Sequence, residues 1–209
     1  MHILLTDVLA CPRCGPAFGL ILVPDEVHER RVASGILACA NCRERYRIDD
    51  GVADLRGAAA EGSGDDSAPD PLDAHDDRAL RLAALMGVSE GPAIILIAGP
   101  ESKRAAAIAA MVAELEVIAA GARGEVRSGA GVSAVLVGDA LPVVSGKLRA
   151  VALTGQAADR WLEEGARAVA PTARLVLDPA PADAQARLDA AGLRTLAHEG
   201  ATIVAARLS

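Results

Sequence analysis

Aromatic side chains are almost missing from this chain, with one Phe, one Tyr and one Trp in 209 residues, so any core must be aliphatic. Lysine is nearly as scarce, 2 against 19 arginines, and the formal net charge of -7 argues against a broad electrostatic grip on nucleic acid. No stretch approaches the ~18 to 20 apolar residues that a bilayer-spanning helix needs. The apolar stretch before Cys11 has no basic leader and is too short for a signal peptide, which predicts a cytoplasmic protein with reduced thiols. There is no P-loop and no hydrolase elbow, and no nucleophile is recognisably paired with His28, His75 or His198. What is present in quantity is aliphatic: hydrophobic residues make up 52% of the chain, which rules out global disorder.

Every cysteine falls in one of two pairs, Cys11-Pro12-Arg13-Cys14 and Cys39-Ala40-Asn41-Cys42. Two CxxC knuckles on facing turns place four thiolates around one point, as tetrahedral zinc requires. Two disulfides or a redox CxxC are the alternatives, but a redox motif needs one pair followed by a helix in a βαβ context, and both pairs here sit among short apolar runs. Residues 1 to 56 therefore read as a zinc ribbon, its metal structural because four thiolates leave no open coordination position. The 24 residues between knuckles exceed the commonest spacing slightly, and an insertion at Pro24 to Ser34 accounts for it. Ile3 to Leu9 reads as a helical turn or strand, Phe18 to Val23 and Gly35 to Ala38 as strands, and Tyr46 to Val52 as a strand carrying the Asp50-Gly51 turn. Arg43, Arg45 and Arg47 form a local basic patch and the one candidate for an RNA contact.

Residues 57 to 76 mix Gly, Ala, Ser and Pro with acidic groups and show no period, as an acidic flexible linker does. From Asp77 the helical period returns through Leu82 and Met86 to Gly87, and residues 77 to 209 then alternate apolar runs with helix-like segments. Strands are predicted at Ala93 to Ala98, Leu115 to Ala119, Ser133 to Val137, Leu148 to Leu153, Leu175 to Leu177, Leu193 to Ala197 and Thr202 to Ala206. Helices are predicted at Lys103 to Ala113, Ala157 to Ala168 and Ala182 to Ala191. Uninterrupted apolar strands separated by helices require a sheet covered on both faces, an open α/β sandwich whose ligands bind at the strands' carboxyl ends. Glu163 and Glu164 with Arg160 and Arg167 read as the wet face of a helix, and Trp161 as a packing anchor.

Two family resemblances follow. The segments Leu4 to Cys14, Leu37 to Cys42 and Tyr46 to Leu55 resemble the zinc-ribbon activator subunit of tRNA and protein methyltransferases. That resemblance implies a module docking onto a methyltransferase domain, in eukaryotes by pairing strand edges with it. Arg47 and Ala53 replace the family's usual prolines, and bacterial members lack the Pro24 to Ser34 insertion.

Residues from about Ile94 to Leu208 resemble a class I S-adenosylmethionine-dependent methyltransferase, through Val137-Gly138-Asp139-Ala140-Leu141-Pro142-Val143, the stretch Ala168 to Asp178 and the final strand pair joined by His198-Glu199-Gly200. The resemblance implies a Rossmann-like methyltransferase-type fold with cofactor contacts at Gly99 and Glu101 after the first strand and at Asp139 and Ala140 after the third. The family's glycine-rich turn is reduced to Gly99, followed by Pro100, Glu101 and Ser102. Ala119, Ala120 and Gly121 stand where an acid normally accepts from the ribose hydroxyls, and Glu116 comes too early in the strand. The fourth strand has Arg149 where an acid is usual and ends in Thr154-Gly155-Gln156. Hydrogen bonds to a charged group contribute roughly 1.5 to 3 kcal/mol each, so losing both ribose contacts predicts an eroded S-adenosylmethionine site.

The expectation is a zinc-binding interaction or activator protein with a non-catalytic methyltransferase-like domain, working with a protein partner, a methyltransferase being the candidate. The alternative is an active methyltransferase whose ribbon assists substrate recognition.

Overall fold

The computed structural model describes residues 1–57 and 77–207. His75 and all of the expected linker except Gly57 lie outside the described residues. A single 3-10 turn, Ile3–Asp7, begins the ribbon, with His2 accepting from the Leu4 N–H through Nδ1 at 3.3 Å. Six strands follow: β1 (Ala10–Cys11), β2 (Gly15–Gly19), β3 (Ile21–His28), β4 (Arg31–Ala38), β5 (Arg45–Asp49) and β6 (Val52–Leu55). In β5 every second side chain is buried, Tyr46 and Ile48 inward and Arg45 and Arg47 outward, so one face packs and the other meets water. The Pro24 to Ser34 insertion is the outer part of the β3–β4 hairpin, whose turn uses positive φ at Glu29 (46°) and Arg30 (65°).

After helix α1 (Asp77–Met86) come β7 (Ala93–Ala98), a 3-10 turn at Pro100–Arg104, α2 (Ala105–Ala109), β8 (Leu115–Gly121), β9 (Val132–Val137) and β10 (Leu148–Thr154). The remainder is α3 (Gln156–Arg160), α4 (Leu162–Ala168), β11 (Val169–Asp178), α5 (Ala184–Ala190), β12 (Arg194–Glu199) and β13 (Thr202–Ala206). Among the described residues all thirteen strands except β1 and β2 join one sheet in the order β12-β13-β11-β10-β7-β8-β9-β6-β5-β4-β3. The strands β7 to β11 run parallel, and β13 inserts antiparallel between β11 and β12. The predicted open α/β sandwich with a terminal antiparallel pair is the observed one.

Two expected helices differ. The one expected over Lys103–Ala113 is α over five residues only, because Gly99 (φ 89°) and Pro100 open the turn as 3-10 and Glu114 (φ 57°) already turns the chain into β8. The helix expected over Ala157–Ala168 breaks at Trp161 (φ -122°), whose indole Nε1 donates to the Asp139 carbonyl at 3.0 Å. The connections 122–131 and 138–147 contain no helix. A parallel crossover normally covers the sheet with one, so another element has to close the core there.

The ribbon closes it. β6 pairs parallel with β9 in the register Ala53↔Val135, Asp54↔Leu136 and Leu55↔Val137. Val8 and Ala10 bond the 138–147 connection, Ala10 N–H to the Pro142 carbonyl and Val144 N–H to the Val8 carbonyl, both at 2.8 Å. Leu5, Leu9, Leu37 and Tyr46 consequently share one apolar core with Leu96, Ile118, Val143, Leu162 and Leu188. The opposite face is covered by α1 and α2, where Leu82, Met86 and Ile108 pack on Ile95, Ile97 and Val117.

Candidate functional site

The four predicted ligands converge. Cys11 and Cys39 are buried, Cys14 and Cys42 half-buried, and all four Sγ atoms lie within 4.8 Å of one another. Tetrahedral thiolates at the usual Zn–S length of about 2.3 Å stand about 3.8 Å apart, and the Cys11–Cys42 and Cys14–Cys39 separations are 3.7 and 3.8 Å. A disulfide would need about 2.05 Å. Asn41 Nδ2 lies 3.3 Å from Cys14 Sγ and the Tyr46 hydroxyl 3.4 Å from Cys11 Sγ, so two donors orient the sulfurs. Burial opposes ionisation of Cys39, but the backbone N–H groups of Cys42 and Asn41 hold its thiol down to about 7. The Glu44 backbone favours the Cys42 thiolate, yet burial and the thiols of Cys14, Cys39 and Cys11 push it up to about 12. Thiolates this close cannot all ionise unaided, and a divalent cation held by the four would supply the compensating charge.

The second candidate site is a cleft of about 710 Å³ at the carboxyl ends of β7, β8, β9 and β10, bordered by Gly99, Ser102, Lys103, Glu125, Arg160 and Trp161. Of the predicted cofactor contacts, only Gly99 borders it. A Cβ on Gly99 would stand 2.0 Å from the Thr154 carbonyl oxygen, and one on Gly155 would stand 2.9 Å from Pro100 Cδ. Both glycines therefore serve the packing of two turns on each other.

The donors of the first turn are also engaged. Glu101 N–H bonds Thr154 Oγ1 at 3.1 Å, Ser102 N–H bonds the Gly99 carbonyl at 2.9 Å, and Pro100 has no N–H. Thr154 Oγ1 in turn donates to the Ala98 carbonyl at 2.9 Å. Glu101 pairs with Arg104 and borders a separate pocket with Arg78, Arg81 and Asp178. Asp139 is exposed and held by Arg160 at 2.7 Å, and Ala140 is half-buried outside the cleft. The Arg160 guanidinium lies 5.0 Å from the centre of the Trp161 ring, so cation and indole form one wall.

Several residues do what sequence reasoning missed. Glu125 borders the cleft just past β8, its carboxylate accepting from the Ala122 N–H at 2.9 Å; it falls four residues after the strand, inside a turn that no periodicity marks. Glu116 is buried and belongs to the ribbon seam: Arg31 reaches it at 2.7 Å, and Ser133 Oγ donates to it at 2.5 Å. Glu164 and Arg167, expected on a wet helix face, instead hold the connection 138–147. The Glu164 carboxylate accepts from Leu141 N–H at 2.5 Å and Arg167 donates to the Val143 carbonyl at 2.6 Å, and burial raises the Glu164 pKa. Glu163 follows the expectation in part, being exposed but paired with Arg187 at 2.6 Å. Trp161 is buried, as expected of a packing anchor, while Arg43, Arg45, Arg47, His28 and His198 are exposed.

Among the described residues no helix is long and apolar enough to cross a membrane. No curated protein sequence matches the chain significantly. Among solved structures, a chain from the complex between the Haloferax volcanii Trm112 methyltransferase activator and its candidate methyltransferase aligns at 16% identity with a TM-score of 0.51, covering 63% of this chain and 88% of that one. The tRNA (m1A58) methyltransferase TrmI of Aquifex aeolicus aligns at 15% identity and a TM-score of 0.47, over 63% of this chain and 68% of that one. Residues 2–51 match the family model of the Trm112p-like proteins. The chain is thus similar to the Trm112p-like proteins over its first quarter and carries a methyltransferase-like α/β fold over most of the remainder.

Proposed function

We propose that this is a non-catalytic methyltransferase-like protein that carries its own activator-type ribbon, residues 1–56 holding structural zinc and residues 77–209 serving as the ribbon's docking partner. The observation that carries the reading is the closed cofactor turn. A nucleotide-binding turn keeps backbone N–H groups directed at its ligand, whereas those of Glu101 and Ser102 bond Thr154 and Gly99. The expected contact at Asp139 is engaged as well, its exposed carboxylate paired with Arg160 at 2.7 Å. With β6 already paired to β9, any second methyltransferase partner has to engage another surface of the chain. Titration calorimetry with S-adenosylmethionine should give no saturable heat at micromolar concentrations, and a 1:1 isotherm would overturn the proposal.

One observation favours the alternative, an active methyltransferase: the Glu125 carboxylate stands near the end of β8, where an acid for the ribose hydroxyls belongs. In that case the isotherm appears, and Glu125→Gln weakens it at least tenfold. Binding unaffected by the substitution removes the support.

A further inference from the structure

We propose that a cleft at the opposite pole of the sheet binds an amphiphilic anion, an aliphatic chain ending in a phosphate or carboxylate. The cleft, about 1310 Å³, opens where the ribbon meets the amino ends of the body's strands. Arg30 and Arg31 of the β3–β4 turn border it on one side and Lys147 and Arg149 at the start of β10 on another, against the two carboxylates of Glu114 and Glu116. Glu116 is already neutralised by Arg31 at 2.7 Å. Arg30, Lys147 and Arg149 make no side-chain hydrogen bond or ion pair among the described residues. Against the remaining carboxylate, Glu114, these three cations leave the cleft net positive, which is not the background of this chain, whose net charge is -7. Their natural counterpart is an anionic head group.

The rest of the wall specifies the other end of the ligand. It is an aliphatic ledge of Ala106, Ala109, Ala110 and Ala113 with Ile94 and Val112 beside it. No Phe, Tyr or Trp borders the cleft, and its one ring is the His2 imidazole, so the wall is mainly aliphatic. Alanines leave room for a chain laid along them, and the cleft exceeds the ~300 to 1,000 Å³ typical of small-ligand pockets. Because the ribbon supplies Arg30 and the body supplies Arg149 and the alanine ledge, the ligand would touch both at once. The site lies away from the cofactor cleft, so it stands or falls independently of the function proposed above.

The test is calorimetry of the full zinc-loaded chain with hexyl phosphate, hexanoate, inorganic phosphate and hexyltrimethylammonium, each below its micellar range. Hexyl phosphate or hexanoate should bind 1:1, several-fold more weakly at 500 than at about 50 mM salt, since screening acts on exposed charges. A preference between the two names the head group. Arg30→Ala with Arg149→Ala should weaken binding at least tenfold while zinc content and Tm are unchanged, and Lys103→Ala in the other cleft should have no effect. The proposal is overturned if hexyltrimethylammonium or inorganic phosphate binds as tightly as the anionic amphiphiles, if the double variant binds like the parent, or if Lys103→Ala abolishes the heat.

Discussion

Glu116 and Arg31 join the ribbon to the body through a pair whose side chains are 11% and 27% exposed, with Arg31 also bonding the Val132 carbonyl at 3.0 Å. Removing one partner of a buried pair leaves the other charge desolvated and uncompensated, at a cost of about 3 kcal/mol. Glu116→Gln should accordingly lower the melting temperature by about 6 to 12 °C for a chain of this length. An unchanged calorimetric transition would show that the pair is not holding the seam. Asp54 makes another polar contact there, bonded by Arg56 Nε at 2.8 Å and facing Arg123 at 3.7 Å. Burial alone would raise its pKa, but the Arg56 guanidinium outweighs burial and lowers it below 3.8. The unfolded chain then binds this proton more readily than the folded one, so the contribution is complete above the ordinary carboxylate range and is lost as pH falls below it toward the lowered folded pKa. Denaturant titrations from pH 6 to 2 should show a shallower acid loss for Asp54→Asn than for the parent, and identical slopes would contradict the assignment. Neither role is visible in the sequence, where Glu116 comes too early in its strand for a ribose acid and Asp54 falls only within the segment Tyr46 to Leu55 that resembles the ribbon family.

At the scale of elements, the ribbon behaves as the missing crossover cover. The connection 138–147 has no helix, and its backbone is satisfied by Val8 and Ala10 and by the Glu164 and Arg167 side chains. Structural zinc sites contribute about 10 to 16 kcal/mol of apparent binding energy, comparable to the whole stability of an ordinary domain. Stripping zinc with a chelator should therefore unfold the ribbon and, by uncovering β9 and the shared core, the body with it. Trp161 is the reporter. It is the sole tryptophan, it lies 6% exposed in the body, and its emission should shift to the red in step with zinc release. A blue, unchanged emission after full metal loss would mean that the two parts fold separately. The elements themselves were largely legible: β7 occupies the predicted Ala93–Ala98, α1 ends before Gly87, and β12 and β13 form the expected pair. What was not legible was helix length, because alanine-rich stretches such as Ala105 to Ala113 favour helix locally. Gly99, Pro100 and the positive φ of Glu114 cut that one short.

For the whole molecule, the continuity of one sheet from β12 to β3 makes the ribbon a lateral extension of the α/β body. The cofactor pole and the amino-end cleft then lie at opposite ends of the same strands, one built mainly from the body and one shared with the ribbon. The sequence by itself determined which four cysteines converge, since matched CxxC spacing is local chemistry, and the order of strands and most helices, since apolar period is local geometry. It also determined that the first glycine-rich turn had been reduced to Gly99. Only the tertiary structure decided that β6 pairs with β9, that Glu116 faces Arg31, that Asp139 is held by Arg160 and that Glu125 reaches the cleft. Those are contacts between residues 21 to 85 positions apart, or the outcome of a turn, and no periodic signal records which distant partner a strand edge or an ionised side chain will meet.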